Sequence, residues 1–381
     1  MNSPLRVLAF AHDASRSGAV LLHRAWLSWA LRWPERLRVR SVLARGGPLL
    51  AHWPSDPPIP VLPRWRRLLL KRGRCVPRCV RHSLCPAPFK SDADVVLVNT
   101  LALGWLLPVL KTTAPIVVHA HELARATRCL LHPTDAEWMR LHVAQWIAVS
   151  EAVRNHLIIE LGVCDERINV VGNFAAEPVA AFSQAEARAI QAAAYGVDAR
   201  KPWVLAVGNI GPVKAPELFI ALAGRPDLKG YEFIWVGGGL DTAYGRSLRQ
   251  TPGAEHVRFL GAQSDVSTWM KAADVLVVTS REESSSLVTL EAMVAGLPVI
   301  AFAGTGGPDE ILAEGRGLLV PERSASAMAV AVQSCLSRST DIGRMVKTAQ
   351  SWVGHEANSN HQCEKLAAVL ETVAAQKPHA R

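Results

Sequence analysis

Residues 275–302 decide the fold, and they read VLVVTSREESSSLVTLEAMVAGLPVIAF. An uninterrupted apolar run, Val275–Val278, is followed by a polar loop, a helical pattern and a Gly-x-Pro turn before a second apolar run, Val299–Phe302. Nearly continuous apolar strands are typical of parallel sheets that are covered on both faces. The stretch therefore predicts a strand, a loop, a helix and a second strand of a parallel α/β domain.

The loop within this stretch carries groups suited to a phosphorylated ligand. If Ser286, Leu287 and Val288 open the helix, their N–H groups and the helix dipole can hold a phosphate. Glu283 and Glu291 stand eight residues apart, on the loop and on the helix. Because a carboxylate repels a diphosphate, we expect both to bind hydroxyl groups of a ribose or a sugar.

Short apolar runs alternate with helical patterns over the rest of the chain, which predicts α/β architecture throughout. At about 100–200 residues per domain, 381 residues make two domains. We predict two doubly wound Rossmann-like domains that face each other across a cleft, with ligands beyond the carboxyl ends of the strands. The predicted boundaries are 1–173 for the first domain, 174–200 for a connection, 201–355 for the second domain and 356–381 for a helix that returns toward the first.

The predicted elements outside the opening stretch follow from the same patterns. Strands are expected at Arg6–Phe10, Leu37–Leu43, Val95–Val98, Ile116–His119, Trp146–Val149, Val204–Val207 and Phe233–Val236, and crossover helices at Gly18–Ala30 and Leu101–Leu110. Ser150 is expected to cap a helix. Another helix is expected around Ser183–Tyr195, and a last one around Gln362–Ala375.

A second candidate site follows the predicted strand Val204–Val207. Gly208 ends the strand, and Lys214 stands in the loop before the next helix, where its ammonium group can contact a diphosphate. Gly237 follows the neighbouring strand in the same way.

The string EAMVAGLPVIAFAGTGGPDEI, at residues 291–311, together with the Glu283 and Glu291 pair, resembles the family 4 retaining glycosyltransferases of the GT-B fold. The resemblance implies that Glu283 contacts a donor sugar, that Glu291 contacts the nucleotide ribose, and that the amides of Leu287 and Val288 hold the distal phosphate. It also implies that the second domain binds the nucleotide sugar and the first domain binds the acceptor. The backbone around Gly237, Leu260 and Gly261 would recognise the base.

Two residues of the second site depart from this family. Asn209 stands where the family usually has Arg, and Ala215 stands where it usually has Gly directly after the lysine. Loss of one cation is expected to weaken stabilisation of the leaving diphosphate, unless Arg281 or Arg316 compensates.

Two candidate groups lie in the first half. Ser17 and Gly18 form the loop after the first strand, and the resemblance places this loop on the acceptor side; a tight turn explains Gly18 about equally well. His119 and His121 lie two residues apart and so on one face of their strand. The resemblance assigns His121 to the donor sugar, whereas His119 is expected to pack deeper.

The net charge of +9 concentrates around the run Arg64 to Arg81, with no acidic residue between Asp56 and Asp92. With interleaved Trp and Leu, this run fits an anionic membrane surface, although a solvated loop is an alternative. No nucleic-acid-binding motif accompanies it, so nucleic acid is not an expected partner. With neither a spanning helix nor a signal peptide recognised, we expect a cytoplasmic protein at the inner face of the membrane.

No metal or cofactor is predicted. Seven scattered cysteines indicate reduced thiols. One group of residues has a spacing that could bind zinc: Cys75, Cys79, His82 and Cys85. However, Pro77 and Pro86 break this segment. The string Asp92-Ala93-Asp94 precedes a predicted strand and is assigned to strand entry.

The predicted function is therefore transfer of a sugar from a nucleotide diphosphate sugar to an acceptor hydroxyl, with retention at the anomeric carbon. Lys214, Glu283 and His121 are the predicted catalytic residues. The basic run favours a lipid-linked acceptor and a role in bacterial surface polysaccharide or lipopolysaccharide synthesis. Two alternatives stay open: a non-catalytic relative that binds sugar nucleotides, and an enzyme with a soluble acceptor.

Overall fold

A computed structural model describes residues 3–54, 92–110, 112–175, 182–337 and 340–376. The basic run Arg64 to Arg81 and the candidate zinc ligands Cys75, Cys79, His82 and Cys85 lie outside these residues. The chain divides into two compact units, Met1–Asn173 with Asn360–Arg381, and Phe174–Ser359.

The elements are numbered along the chain. The strands are β1 Leu5–Ala11, β2 Leu37–Leu43, β3 Val95–Asn99, β4 Ile116–Ala120, β5 Gln145–Ala148, β6 Ile168–Val170, β7 Trp203–Val207, β8 Glu232–Val236, β9 Val257–Phe259, β10 Val275–Val278, β11 Val299–Phe302 and β12 Leu318–Val320. The α-helices are α1 Gly18–Ala30, α2 Ala124–Leu130, α3 Pro133–His142, α4 Glu151–Ile159, α5 Gln184–Tyr195, α6 Pro216–Ala223, α7 Ala243–Leu248, α8 Ser267–Ala272, α9 Leu287–Ala295, α10 Gly307–Ile311, α11 Ala325–Leu336, α12 Thr340–His355 and α13 Ser359–Ala375.

The first unit contains a parallel sheet in the order β2-β1-β3-β4-β5-β6. Its apolar strands are buried on both faces; Val96, Val98, Val118 and Trp146 are fully buried in its largest core cluster. The strand order reverses between β1 and β3. The carboxyl ends of these two strands form the crevice in which doubly wound sheets bind ligands.

The second unit repeats this architecture with a parallel sheet in the order β12-β11-β10-β7-β8-β9. One core covers each face, with Leu205, Ile234 and Leu276 on one side and Phe219, Phe233 and Val277 on the other. The order reverses between β7 and β10. The two units are thus the Rossmann-like domains of the GT-B fold, as the sequence predicts.

Local sequence explains where several helices begin and end. Ser150 caps α4 by accepting a hydrogen bond of 3.1 Å from the Val153 N–H, as predicted. Ser183 and Glu186 form a reciprocal capping box at the start of α5. Gly296 ends α9 in the left-handed conformation.

The predicted helix over Leu101–Leu110 is wrong. The segment instead forms two 3-10 turns, Leu101–Leu103 and Leu107–Val109, and every residue in it is buried. Gly104 separates the turns where a side chain would lie 2.3 Å from Leu131 Cδ1, and Pro108 cannot continue a helical hydrogen-bond ladder.

The segment assigned to a connection, 174–200, falls within the second unit. Helix α5 buries Ala187 and Gln191. Arg188 Nη1 contacts the Asp274 carboxylate at 3.0 Å, just before β10. These contacts make α5 part of the second domain's helix layer.

The first unit includes a helix from far along the chain. Helix α13 buries Leu366, Ala367 and Leu370. The Arg36 guanidinium, just before β2, contacts Glu364 at 2.6 Å and Glu371 at 2.7 Å. Residues 360–375 therefore complete the first domain.

Candidate active site

The loop after β7 carries the lysine of the second site. The Lys214 side chain lies over Gly208, where a Cβ atom would be 3.2 Å from Lys214 Cε. The backbone carbonyl of Lys214 accepts a hydrogen bond of 2.8 Å from Thr279 Oγ1, at the end of β10. The loops that follow the two strands at the crevice are therefore tied together.

Lys214 and Glu283 form an ion pair at this crevice. The Lys214 ammonium group contacts Glu283 Oε1, and the same oxygen accepts a hydrogen bond of 2.6 Å from Ser280 Oγ. The Glu283 side chain is only 10% exposed. The Glu283 backbone also forms hydrogen bonds with Thr305 and Gly307. Contacts of the side chain and of the backbone therefore both fix the position of the carboxylate.

The backbone conformation of Ala215 explains why the resembled family has glycine at this position. Its φ of 49° lies in the left-handed region, and its side chain is completely buried. Only glycine adopts this conformation without a steric cost of roughly 1–2 kcal/mol. The chain therefore makes a left-handed turn here with a residue that is less suited to it than glycine.

Helix α9 begins as the sequence predicts. Ser286 is the N-cap residue, and its carbonyl accepts hydrogen bonds from the N–H groups of Thr289 and Leu290. The N–H groups of Leu287 and Val288 precede this ladder, so they are available to an anion. Glu291 lies one turn after Leu287 on the same face, and burial raises its pKa to about 7.

The glycines after β8 and β9 lie against the same site. Gly237 has a φ of 153°, and a Cβ atom there would lie 1.9 Å from the carbonyl oxygen of Gly208. The Gly237 N–H donates to the Gly261 carbonyl at 2.8 Å, and the Leu260 N–H donates to the Trp235 carbonyl at 3.0 Å. The structure therefore brings together Gly208, Lys214, Gly237, Gly261 and Glu283 through successive contacts.

Both proposed substitute cations have partners of their own in this structure. Asn209 is exposed beside Gly238. Arg281 pairs with Glu217 and donates to the Pro212 carbonyl. Arg316 is buried against the Trp352 ring and donates to the carbonyls of Ile311 and Glu310.

Sequence reasoning missed Arg323, which reaches the back of the site. Its Nη1 donates to the Ser280 carbonyl at 2.8 Å, and its guanidinium lies 5.2 Å from the centre of the Phe302 ring. Burial lowers its pKa, and Arg281 adds to this. No local motif marks this residue, because its partner is a backbone carbonyl 43 residues away.

In the first unit, His119 and His121 lie on one face, as predicted, with ring centres 4.3 Å apart. His23 from α1 also packs nearby. Desolvation lowers the pKa of all three histidines, to about 3 for His23 and about 4 for His119, and well below the usual value for His121. The neighbouring imidazoles contribute to the pKa shifts of His23 and His121, so the cluster is uncharged at neutral pH.

Asn99 and Glu122 hold this cluster in place. Asn99 Oδ1 lies 2.9 Å from His121 Nε2, and Asn99 Nδ2 donates to the Ala19 carbonyl at 3.0 Å. The buried Glu122 accepts hydrogen bonds from the N–H groups of Leu101 and His121. Burial raises the pKa of Glu122 despite these bonds. A polar residue at the end of a buried strand was the available signal for Asn99.

The loop after β1 follows at the same edge of the sheet. Ser17 is the exposed N-cap residue of α1, and Gly18 is its first residue. His12 Nδ1 lies 3.3 Å from the Asp13 carboxylate, and the hydrogen bond from His12 lowers the pKa of Asp13, as do bonds from Ser15.

Asp92 and Asp94 act at the entry of β3, where both carboxylates pair with the Arg6 guanidinium. Within the described ranges, no three histidine, cysteine, aspartate or glutamate side chains converge as metal ligands would. None of the helices in the described parts of the chain combines the length and apolarity needed to cross a bilayer.

The fold and the crevice define a GT-B protein with a candidate phosphate site in its second domain. Residues 201–338 match the family described as "Glycosyl transferases group 1". D-inositol 3-phosphate glycosyltransferase of Kineococcus radiotolerans is 30% identical over 291 residues, which are 66% of this chain and 65% of that protein. The match thus spans slightly less than two thirds of the relative's length.

Two solved structures share the fold. HepE of Anabaena, in complex with UDP and glucose, has a TM-score of 0.74 at 20% identity, covering 97% of this chain and all of that one. WaaG, a glycosyltransferase involved in lipopolysaccharide biosynthesis, has a TM-score of 0.65 at 17% identity, covering 96% of this chain and 99% of that one. The sequence matches are thus to glycosyltransferases, and the two solved structures show that the chain shares their fold.

Proposed function

We propose that the protein transfers a sugar from a nucleotide diphosphate sugar to an acceptor hydroxyl, as a family 4 retaining glycosyltransferase. The observation that carries the proposal is the Lys214–Glu283 pair at the β7–β10 crevice, beside the start of α9. A cation and free amides suit the diphosphate, while a fixed carboxylate suits the sugar hydroxyls.

In the proposed reaction, the bond from the anomeric carbon to the diphosphate oxygen breaks, and a bond to the acceptor oxygen forms on the same face of the sugar. The acceptor proton passes to the departing diphosphate. Lys214 and the amides of Leu287 and Val288 stabilise the charge that develops on this leaving group. Glu283 and His121 orient the sugar, and Glu291 binds the ribose. No metal is required in this scheme.

The donor assay measures release of UDP, GDP or ADP from a panel of nucleotide sugars that includes UDP-glucose, the ligand in a structure of HepE. We expect slow release from one donor, with at least a tenfold loss in Glu283→Ala and Lys214→Ala. Lys229→Ala and Glu255→Ala change charges elsewhere in the same unit and serve as controls. Nucleotide binding without release, even with acceptors present, would favour the non-catalytic alternative.

Retention and metal independence are tested with the same protein. The anomeric configuration of the product, read by NMR, is expected to match that of the donor. Turnover is expected to be unchanged by EDTA. An inverted product would reject the family 4 mechanism while leaving sugar transfer intact.

We propose a lipid-linked acceptor, because the run Arg64 to Arg81 is basic and interleaved with apolar residues. Flotation with phosphatidylglycerol vesicles, compared with phosphatidylcholine vesicles, tests the attraction that would hold the protein at the inner face of a membrane. We expect binding to the anionic vesicles that weakens with salt and in a variant with Arg66, Arg67, Lys71 and Arg72 changed to Gln.

A soluble acceptor is the competing proposal. D-inositol 3-phosphate belongs in the acceptor panel because relatives are named for it. Efficient transfer to a soluble acceptor without vesicle binding would displace the lipid-linked proposal.

A further inference from the structure

The side chain of Asn99 connects two parts of the first unit that flank its crevice. Asn99 is completely buried at the end of β3. Its Nδ2 donates to the Ala19 carbonyl in the first turn of α1, and its Oδ1 lies 2.9 Å from His121 Nε2. A carbonyl oxygen can only accept a hydrogen bond, so the Asn99 nitrogen must face Ala19. The amide oxygen therefore faces the imidazole.

This orientation decides where His121 carries its proton. Asn99 Oδ1 has no hydrogen to donate, so the 2.9 Å contact requires a proton on His121 Nε2. A neutral imidazole protonated at Nε2 has a lone pair at Nδ1. Among the described residues, no hydrogen-bond partner occupies that Nδ1.

The surroundings keep the ring neutral. His23 from α1 and His119 from β4 pack toward His121 and would both repel an imidazolium. The nearby Glu122 carboxyl is engaged by the backbone N–H groups of Leu101 and His121 itself. His12, after β1, faces Glu122. Desolvation outweighs any attraction from Glu122, and the pKa of His121 stays well below its usual value.

We propose that Asn99 is a positioning residue that locks His121 in the Nε2–H form, so that Nδ1 accepts a hydrogen bond from a hydroxyl group of the bound sugar. This inference rests on the proposed function. It names the chemistry of the group recognised: a hydroxyl has a hydrogen to give to Nδ1, whereas a carboxylate has only lone pairs. The uncharged imidazoles of the crevice therefore help to select a neutral sugar.

The first test reads the tautomer without any assay of activity. Two-bond ¹H–¹⁵N correlation spectra of the full-length protein, labelled at histidine nitrogens, distinguish the two neutral forms. The signal of His121 is assigned by its loss in His121→Gln. We expect the Nε2–H pattern from about pH 6 to 8. An Nδ1–H pattern, or a cationic ring at pH 7, would overturn the inference whether or not the protein transfers sugar.

The second test uses three asparagine variants. Asn99→Leu removes both hydrogen bonds, and we expect a tautomer mixture and at least a tenfold loss in kcat/KM at every pH. Asn99→Asp keeps an acceptor and adds a charge, so it should raise the pKa of His121 and give a new loss of activity as pH falls toward 6. Asn169→Leu, which changes an exposed asparagine of β6, is the matched control and should behave as wild type.

Circular dichroism and thermal melting confirm that each variant is folded before its kinetics are compared. If both Asn99 variants retain wild-type kcat/KM within twofold and an unchanged pH profile, Asn99 does not position His121. If the tautomer is as expected but no donor is turned over, the proposed function fails while the assignment of the proton stands.

Discussion

Lys214 and Glu283, 69 residues apart in the chain, pair at the point where the strand order of the second domain reverses. The pair satisfies both charges in the absence of ligand. A diphosphate that takes the Lys214 ammonium group leaves Glu283 with Ser280, free to accept hydrogen bonds from sugar hydroxyls. Donor binding would thus replace the contact between Lys214 and Glu283 with one between Lys214 and the diphosphate, so the Lys214 ammonium group would be paired both before and after binding.

The pairing predicts non-additive effects on the stability of the second domain. Lys214→Met leaves a carboxylate that is 10% exposed and that keeps, among the described residues, Ser280 as its one side-chain partner. We expect a loss of about 1–3 kcal/mol in unfolding free energy. Adding Glu283→Gln should restore most of that loss. Urea unfolding followed by tryptophan fluorescence measures the cycle; additive losses would show that the pair contributes no coupling.

The contact between Gly237 and Gly208 predicts a sharp penalty for a single methyl group. Gly237→Ala would place its Cβ 1.9 Å from a backbone oxygen and at a φ of 153°, so we expect at least about 2 kcal/mol of destabilisation and loss of nucleotide binding. Gly230→Ala meets nothing within 4 Å and should change stability by less than about 0.5 kcal/mol. Calorimetric melting and nucleotide titration compare the two; equal behaviour would contradict the close approach.

Glu291 predicts a stability change at mildly acidic to neutral pH. Its folded-state pKa of about 7 lies above the ordinary value of 4.5, so ionisation favours the unfolded chain as pH rises between these values. Wild-type stability should therefore fall relative to Glu291→Gln by about 3 kcal/mol from pH 4.5 to 7 and then stay level. Denaturant titrations at several pH values test this. A difference that does not vary with pH would mean that Glu291 ionises normally in the folded protein.

His23 predicts the opposite dependence in the first domain. Its pKa falls from an ordinary 6.5 to about 3 because the buried ring cannot be solvated when charged. The unfolded chain binds this proton first, so stability is fully present above pH 6.5 and is lost as pH falls toward 3.

His23→Leu should reduce that acid sensitivity, and it also removes a buried Nε2 without a hydrogen-bond partner. His52→Leu, which alters an exposed histidine in the same unit, is the control. Unfolding free energies at pH 7 and pH 5 are the measurement. The same pH 5 to 7 difference in wild type and His23→Leu would remove His23 as the cause.

The apolar strands could be predicted because burial on both faces leaves an unmistakable run, such as Val275–Val278. The three-residue strands β6 and β9 carry too few residues to stand out from loops. The segment Leu101–Leu110 is apolar on all sides, so its composition did not reveal that a close approach at Gly104 would divide it into two turns.

The residues of the site likewise differ in whether the sequence could predict them. Residues within one contiguous motif, such as Ser286 and Leu287, could be placed from sequence because the strand-to-helix turn is local. Asn99 and Arg323 could not be assigned, since each acts through a backbone carbonyl from a distant segment. Such partnerships depend on strand order, which no local pattern encodes.

The return of α13 to the first domain has a consequence for synthesis. A ribosome makes β1 to β6 early, yet Arg36 meets Glu364 and Glu371 only after the whole of Phe174–Ser359 has been translated. The second domain, whose chain is continuous, can finish folding first. The domain that is begun first is thus completed last, and a chain that ends before residue 360 would lack Glu364 and Glu371, the partners of Arg36 in α13.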